Sequence, residues 1–442
     1  MELEERTRDE EFELGERVRR LRIAAGLSQT ELAAGRFSKE YVSQIERGKT
    51  RPTADTLGWL AEQLGVDASF LASGVSAAER YRWEAVLARG EALVEQHQYE
   101  AACRELGSAL EQTRAIGAAD LTVRALTGLA WARMELGELQ TAIDLLIEAR
   151  ALAEGPRFSD VERADVLFRL GVCRYKLSSV STALALLDEA LALAERSALP
   201  CDRLRVEIFL WRSRCYRLQR DYLAARENVG QALELAESLQ HPLTTANVFF
   251  QASLIAEREQ HFGLARTYAE RAKACYEEIS DRVTVGRLLN NLGGITRMLG
   301  KPAEAVGYLQ DSLRVLLDEG SDVEAAHVMC SLAQVHLEMK RFGDAETEAR
   351  KALELLGDRV DYLYEIGTAQ LALGRSLMEQ DRLDEAQDFL RAADRSFEQL
   401  ASASHRASAW IALGDLEQKR GDDRGAARQY RRAAEALQDI RF

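Results

Sequence analysis

Leu14, Val18, Leu21 and Ile23 repeat at helical spacing, with Arg17, Arg19, Arg20 and Arg22 around them, and Gly26 closes the segment. The pattern predicts a first helix over 14–25. Ser28 followed by Glu31 is a capping box, so a short second helix starts there and buries Leu32 and Ala33. Gly35 and Arg36 break it. Ser38 caps a third helix in which Val42 and Ile45, three apart, face a core, while Lys39, Glu40, Ser43, Gln44 and Arg47 project the other way. Thr53 caps a fourth helix from Ala54 to Leu64, closed by Gly65, and Asp67 caps a fifth from Ala68 to Leu71.

Two short helices joined by a tight turn, the second presenting long polar side chains, describe a helix-turn-helix. The segments L-S-Q-x-E-L-A before the turn and Y-V-S-Q-I-E-R-G-K after it resemble the phage-repressor (Xre) family, over roughly Leu14 to Gly74. One departure is a turn one residue shorter than the family's, which re-aims the second helix. The resemblance implies a DNA-binding domain over 14–74, preceded by a charged lead-in over 1–13. It also implies that Arg22 and Glu46 form the family's structural ion pair and make no base contact. The candidate DNA-contacting residues are Lys39, Glu40, Tyr41, Ser43 and Gln44 on the reading helix, with Gln29, Arg47, Lys49 and Arg51 as phosphate contacts. For this patch a merely solvated helix face is the alternative. Tyr41 is open between packing and backbone contact.

From Ser76 onward the chain is periodic on a longer scale. Ala102, Ala142, Ala183, Ala225, Ala265, Ala305, Ala345, Ala386 and Ala426 are spaced by 40 to 42 residues. Twelve positions before each stands Gly90, Ala130, Gly171, Ser213, Ser253, Gly293, Ala333, Gly374 or Gly414, and seven after stands another Ala or, once, Ser312. Small residues at three fixed places let antiparallel helices approach closely. The L-G-x-x-x…A…A register resembles tetratricopeptide repeats, nine of them over 75–442. Their period near 40 is similar to that of bacterial peptide-sensing regulators. The expected fold is all-α: a five-helix head followed by an α-solenoid of about nine helix pairs.

In that family the first helices line a concave groove. Counting from the small residue, the positions six and three before it, and one and four after it, face inward. The first three repeats give a mixed lining, Glu84, Leu87, Glu91 and Val94 among it. From the fourth repeat the lining becomes cationic and amide-rich: Arg214 and Arg217, Asn247 and Phe250, Arg287, Asn290 and Arg297, His327 and Gln334, then Arg375. Such side chains suit an extended peptide or a small acidic effector. Ordinary solvated groove residues are the bland alternative.

Composition agrees with helices, with 5 Pro and 7% aromatic residues in 442. The net charge of −14 opposes phosphate, but its distribution matters more: residues 1–13 carry −5, residues 14–74 carry +2 and the rest −11. Six scattered Cys (103, 173, 201, 215, 275, 330) and six scattered His form no metal or redox spacing, so no metal or cofactor is expected. No phosphate loop, H-E-x-x-H or nucleophile elbow supports an enzyme. The chain lacks a long apolar run, and a cytoplasmic protein without membrane contact is expected. The resemblance therefore implies a homodimeric regulator of operator DNA, with an effector-binding repeat region. Its rival is a repeat scaffold that binds a partner protein, localised by its head.

Overall fold

In the computed structural model, residues 14–438 are described except for 75, 156, 358 and 401, so the lead-in over 1–13 lies outside them. Among the described residues the regular structure is entirely helical. The chain divides into two compact units, one ending at Gln219 and one starting at Arg220. That division falls within the fourth repeat.

The head, in the first unit, consists of α1 (14–24), α2 (Gln29–Ala33), α3 (Lys39–Glu46), α4 (Ala54–Leu64) and α5 (Ala68–Ser73). The caps follow from side-chain chemistry. The Ser28 hydroxyl accepts from the Glu31 N–H while the Glu31 carboxylate takes the Ser28 N–H, and Ser38, Thr53 and Asp67 cap the next three helices. Leu14, Val18, Leu32, Val42, Ile45, Leu60 and Leu71 make its core. Ile23 does not join them and is 60% exposed. It follows Val18 by five residues, about 140° round the helix at 100° per residue, whereas Leu21 follows by three and stays on the packed face.

From α6 (Ala77–Glu95) and α7 (Tyr99–Ala115) to α23 (Asp423–Gln438), helices of similar length follow one another. All twenty-seven small positions of the repeat pattern are buried. The reason is volume matching. A Cβ at Gly90, Gly293 or Gly374 would come within 2.5, 2.7 or 2.6 Å of Leu106, Leu309 or Leu390, in each case the residue sixteen further on. At Ser253 and Ala333 the residue sixteen on is Ala269 or Ala349, whereas Ala130 keeps Leu146.

The connection between the two helices of each pair has its own regularity. Residues 97, 137, 178, 220, 260, 300, 340, 381 and 421, five before each repeat Ala, all adopt a left-handed conformation with φ between 58° and 83°. Only Gly137, Gly300 and Gly421 are glycines. The other six are polar residues that accept a local cost of about 1–2 kcal/mol for a turn that brings the helices back together.

Candidate nucleic-acid interface and effector groove

The head positions α3 through its base rather than its exposed face. Arg22 of α1 donates to both Glu46 oxygens, from Nε at 2.5 Å and Nη2 at 3.2 Å, and its Nη1 donates to the Leu27 carbonyl at 2.7 Å. Gln29 of α2 adds a third bond to the same carboxylate, Nε2 to Oε2 at 2.8 Å. One buried carboxylate thus joins three helices, and it raises the Arg22 guanidinium further above its ordinary pKa. Gly15 completes the contact, because a Cβ there would run into the Ile45 carbonyl. Arg17 ties α1 to the end of α5, donating to the Leu71 carbonyl at 2.9 Å.

The turn breaks one residue earlier than the Gly35-Arg36 expectation. Ala34 and Gly35 are both left-handed, with φ of 44° and 74°, and this pair of reversals makes the short connection possible. Arg36 is placed instead with its guanidinium 5.8 Å from the rings of both Phe37 and Trp59.

With Val42 and Ile45 buried, α3 exposes Lys39, Glu40 and Gln44, and Ser43 is half-buried beside them. Arg47, Lys49 and Arg51 follow, all exposed. The Gln44 amide oxygen accepts from Thr50 Oγ1 at 3.2 Å, and among the described residues nothing accepts from its NH₂. Gln29 is half-buried and already spends its NH₂ on Glu46. Tyr41 is half-buried, packed 5.4 Å from the Phe37 ring.

Of the groove residues, Arg214 and Arg217 lie in the first unit on α12 (Asp202–Leu218). The Arg214 guanidinium stacks 4.2 Å from the Trp211 ring, and Arg217 Nε is buried without a hydrogen-bond partner among the described residues. The remainder belong to the second unit. On α14 (Pro242–Arg258), Asn247 Oδ1 accepts from the Tyr276 hydroxyl at 2.5 Å and Phe250 packs into the apolar cluster beside it. On α16 (Arg282–Met298), Arg287 and Arg297 pair with Glu324 and Glu338, both at 2.6 Å, whereas Asn290 Oδ1 is buried and has no partner among the described residues. Two of the expected groove cations are thus engaged in ion pairs with the neighbouring helix α18 (Asp322–Glu338), which also carries His327 and Gln334, both exposed. Arg375 stands half-buried on α20 (Leu363–Glu379).

A cavity of about 760 Å³ in the second unit collects Arg297, Gln334 and Arg375. All four inward positions counted on α20, Thr368, Leu371, Arg375 and Met378, line it. The same count places Ser408 and Asp415 there from α22 (Ala403–Lys419). Sequence reasoning passed over these two, although the register contains them. Phe397 and His405 lie outside the count and had no signal; the His405 ring is fixed by Ser402 at 2.6 Å and stands edge-on to Tyr364.

The thiols are chemically quiet: burial pushes Cys330 up to about 12 and Cys173 and Cys215 to about 11. Among the described residues no group of His, Cys, Asp or Glu is placed to hold a metal, and no helix is long and apolar enough to cross a membrane.

Residues 18–71 match the helix-turn-helix family, and residues 128–200, 284–358 and 330–401 match tetratricopeptide repeats. A curated relative, the uncharacterized HTH-type transcriptional regulator y4dJ of Sinorhizobium fredii (strain NBRC 101917 / NGR234), is 46% identical over 54 residues, which are 12% of this chain and 70% of that protein. Among solved structures, the apo form of RapI is similar over 81% of this chain and 98% of its own, with TM-score 0.65 and 12% identity. The apo form of the quorum sensor NprR from B. thuringiensis is similar over 80% of this chain and 98% of its own, with TM-score 0.59 and 14% identity. A Rap protein complexed with competence and sporulation factor gives 0.51 at 15% identity, over 79% of this chain and 99% of its own. At these identities the structures establish the shared fold. This is a regulatory DNA-binding repeat protein rather than an enzyme. The chain belongs to the HTH-type transcriptional regulators, with an Xre-type helix-turn-helix head followed by tetratricopeptide repeats.

Proposed function

We propose that the protein regulates transcription by docking α3 in the major groove of an operator, as a homodimer, and that a peptide held by its repeats alters operator affinity. One observation carries the DNA half of this reading: Val42, Ile45 and Glu46 are buried while Lys39, Glu40 and Gln44 stand exposed on the same helix. Gln pairs with adenine and Lys with guanine or phosphate, whereas Arg47, Lys49 and Arg51 suit phosphate. A single small head with a net charge of +2 offers few contacts, so pairing two heads on a palindrome supplies the specificity. The peptide half is supported by the mixed apolar and polar lining of the cavity, by the Asn290 oxygen that has no partner among the described residues, and by the fold shared with a Rap protein complexed with competence and sporulation factor. A peptide that prefers one arrangement of the repeats changes the spacing of the paired heads.

The test is selection of a duplex from random DNA by the full chain, followed by titration of that duplex with the Lys39→Ala/Gln44→Ala double variant. The expected loss is roughly 1–3 kcal/mol per base contact with helicity unchanged. Unaltered affinity would remove α3 as the reading helix.

A further inference from the structure

Three cations line the cavity: Arg297, Lys340 and Arg375. Arg297 is neutralised by Glu338. Arg375 is different. It sits beside Leu371, Met378 and Phe397, and among the described residues no carboxylate comes within ion-pair distance of it. Burial lowers its pKa, and the charge of Asp415 opposes that shift only in part. Guanidinium does not shed its proton in a protein, so this is a partly desolvated positive charge with no carboxylate in ion-pair contact, although Glu379 and Asp415 line the same cavity.

The obvious counter-ion is withheld. The Tyr430 hydroxyl of α23 donates to Asp415 Oδ1 at 2.7 Å. Hydrogen bonding to that carboxylate pushes the phenol up to about 12, so it stays a donor at neutral pH. Tyr430 reaches Asp415 because its ring lies on Gly414, where a Cβ would stand 2.5 Å from ring Cε1. The residue sixteen after each of the other small glycines, Gly90, Gly171, Gly293 and Gly374, is leucine. The last repeat alone puts a hydroxyl there, and it bonds Asp415 and, at 3.2 Å, Gln418 Oε1.

We propose that Arg375 anchors a carboxylate of the peptide that occupies this cavity, with an adjacent apolar side chain seated among Leu371, Met378 and Phe397, and that Tyr430 keeps the anchor open by holding Asp415. The proposal rests on reading the cavity as a peptide site. It narrows the ligand to one with a free C-terminal carboxylate, or an Asp or Glu, next to an apolar residue. Planar guanidinium takes such a group through two parallel N–H···O bonds, which favours it over a neutral amide.

The experiment passes two random heptapeptide libraries over the immobilised full-length chain, one with free C-terminal carboxylates and one C-terminally amidated, and reads retained sequences by mass spectrometry. Wild type retains carboxylate-bearing peptides with a neighbouring apolar residue. If the amidated library yields only peptides with Asp or Glu, the side chain is a competent source; if it yields none, the C-terminus is the source. Arg375→Met lowers retention about tenfold or more, the scale of a charge-assisted pair. Tyr430→Phe lowers it several-fold by releasing Asp415, and Asp415→Asn, which removes the competitor, retains at least as much as wild type. Melting curves confirm that each variant is folded. Retention that ignores the carboxylate, or that survives Arg375→Met while Asn290→Ala abolishes it, overturns the anchor and leaves the peptide reading intact. No retention from either library overturns both.

Discussion

Arg22 and Glu46, twenty-four residues apart, form a bidentate ion pair with side chains only 13% and 3% exposed, at the point where α1 meets the end of α3. The pair orients the reading helix from behind. Removing one partner leaves a buried charge, which costs about 3–5 kcal/mol, more than an exposed pair contributes. Arg22→Met should therefore raise amide exchange across α1 to α5 without altering it in α16 to α20. It should also weaken operator binding, although the Arg22 guanidinium is bonded inward to Glu46 and the Leu27 carbonyl. Unchanged exchange in the head would show that the pair is dispensable for its geometry.

The repeat packing makes a second prediction. Leu390 is fully buried and fills the space left by Gly374. Leu390→Ala should cost about 2–5 kcal/mol, and Gly374→Ala alone about 1–3 kcal/mol through overpacking. The double variant reproduces the Ala333/Ala349 combination already present one repeat earlier, so it should be more stable than the two separate losses imply, with a coupling of about 0.5–3 kcal/mol. Urea denaturation of the four proteins measures it. Strict additivity would mean that the two side chains do not share one space.

The left-handed turn residues give a third. Gln260 is exposed, with φ of 62°. Gln260→Gly relieves about 1–2 kcal/mol of local strain and returns part of it through the greater freedom of the unfolded chain, so a net gain of roughly 0.5–1 kcal/mol is expected. A calorimetric melting temperature at or below that of wild type would contradict this account of the turn.

These cases also mark what the sequence could reveal. The twenty-seven small positions were legible because close helix approach excludes larger side chains, which leaves a trace in residue type alone. The caps at Ser28, Ser38, Thr53 and Asp67 were legible for the same reason. Six of the nine left-handed turns were not, because Ser, Arg, Gln and Lys carry no signal of a positive φ and His and Asp only a weak one. Ile23 looked like core because it is apolar, and only its phase places it outside. In the groove the register was readable, whereas the pairing of each charge was not. Arg287 and Arg297 are paired with Glu324 and Glu338, but Arg375 is not paired with Asp415, whose carboxylate accepts instead from Tyr430, fifteen residues further along in another helix.

The most direct test of the proposed linkage between groove and head is the dissociation constant of the selected duplex, measured by fluorescence anisotropy at one fixed salt concentration, with and without a saturating peptide retained from the libraries. A coupling of about 1–3 kcal/mol predicts a change of roughly five- to 150-fold, and by reciprocity the duplex must change peptide affinity by the same factor. Identical dissociation constants in the two titrations would contradict it.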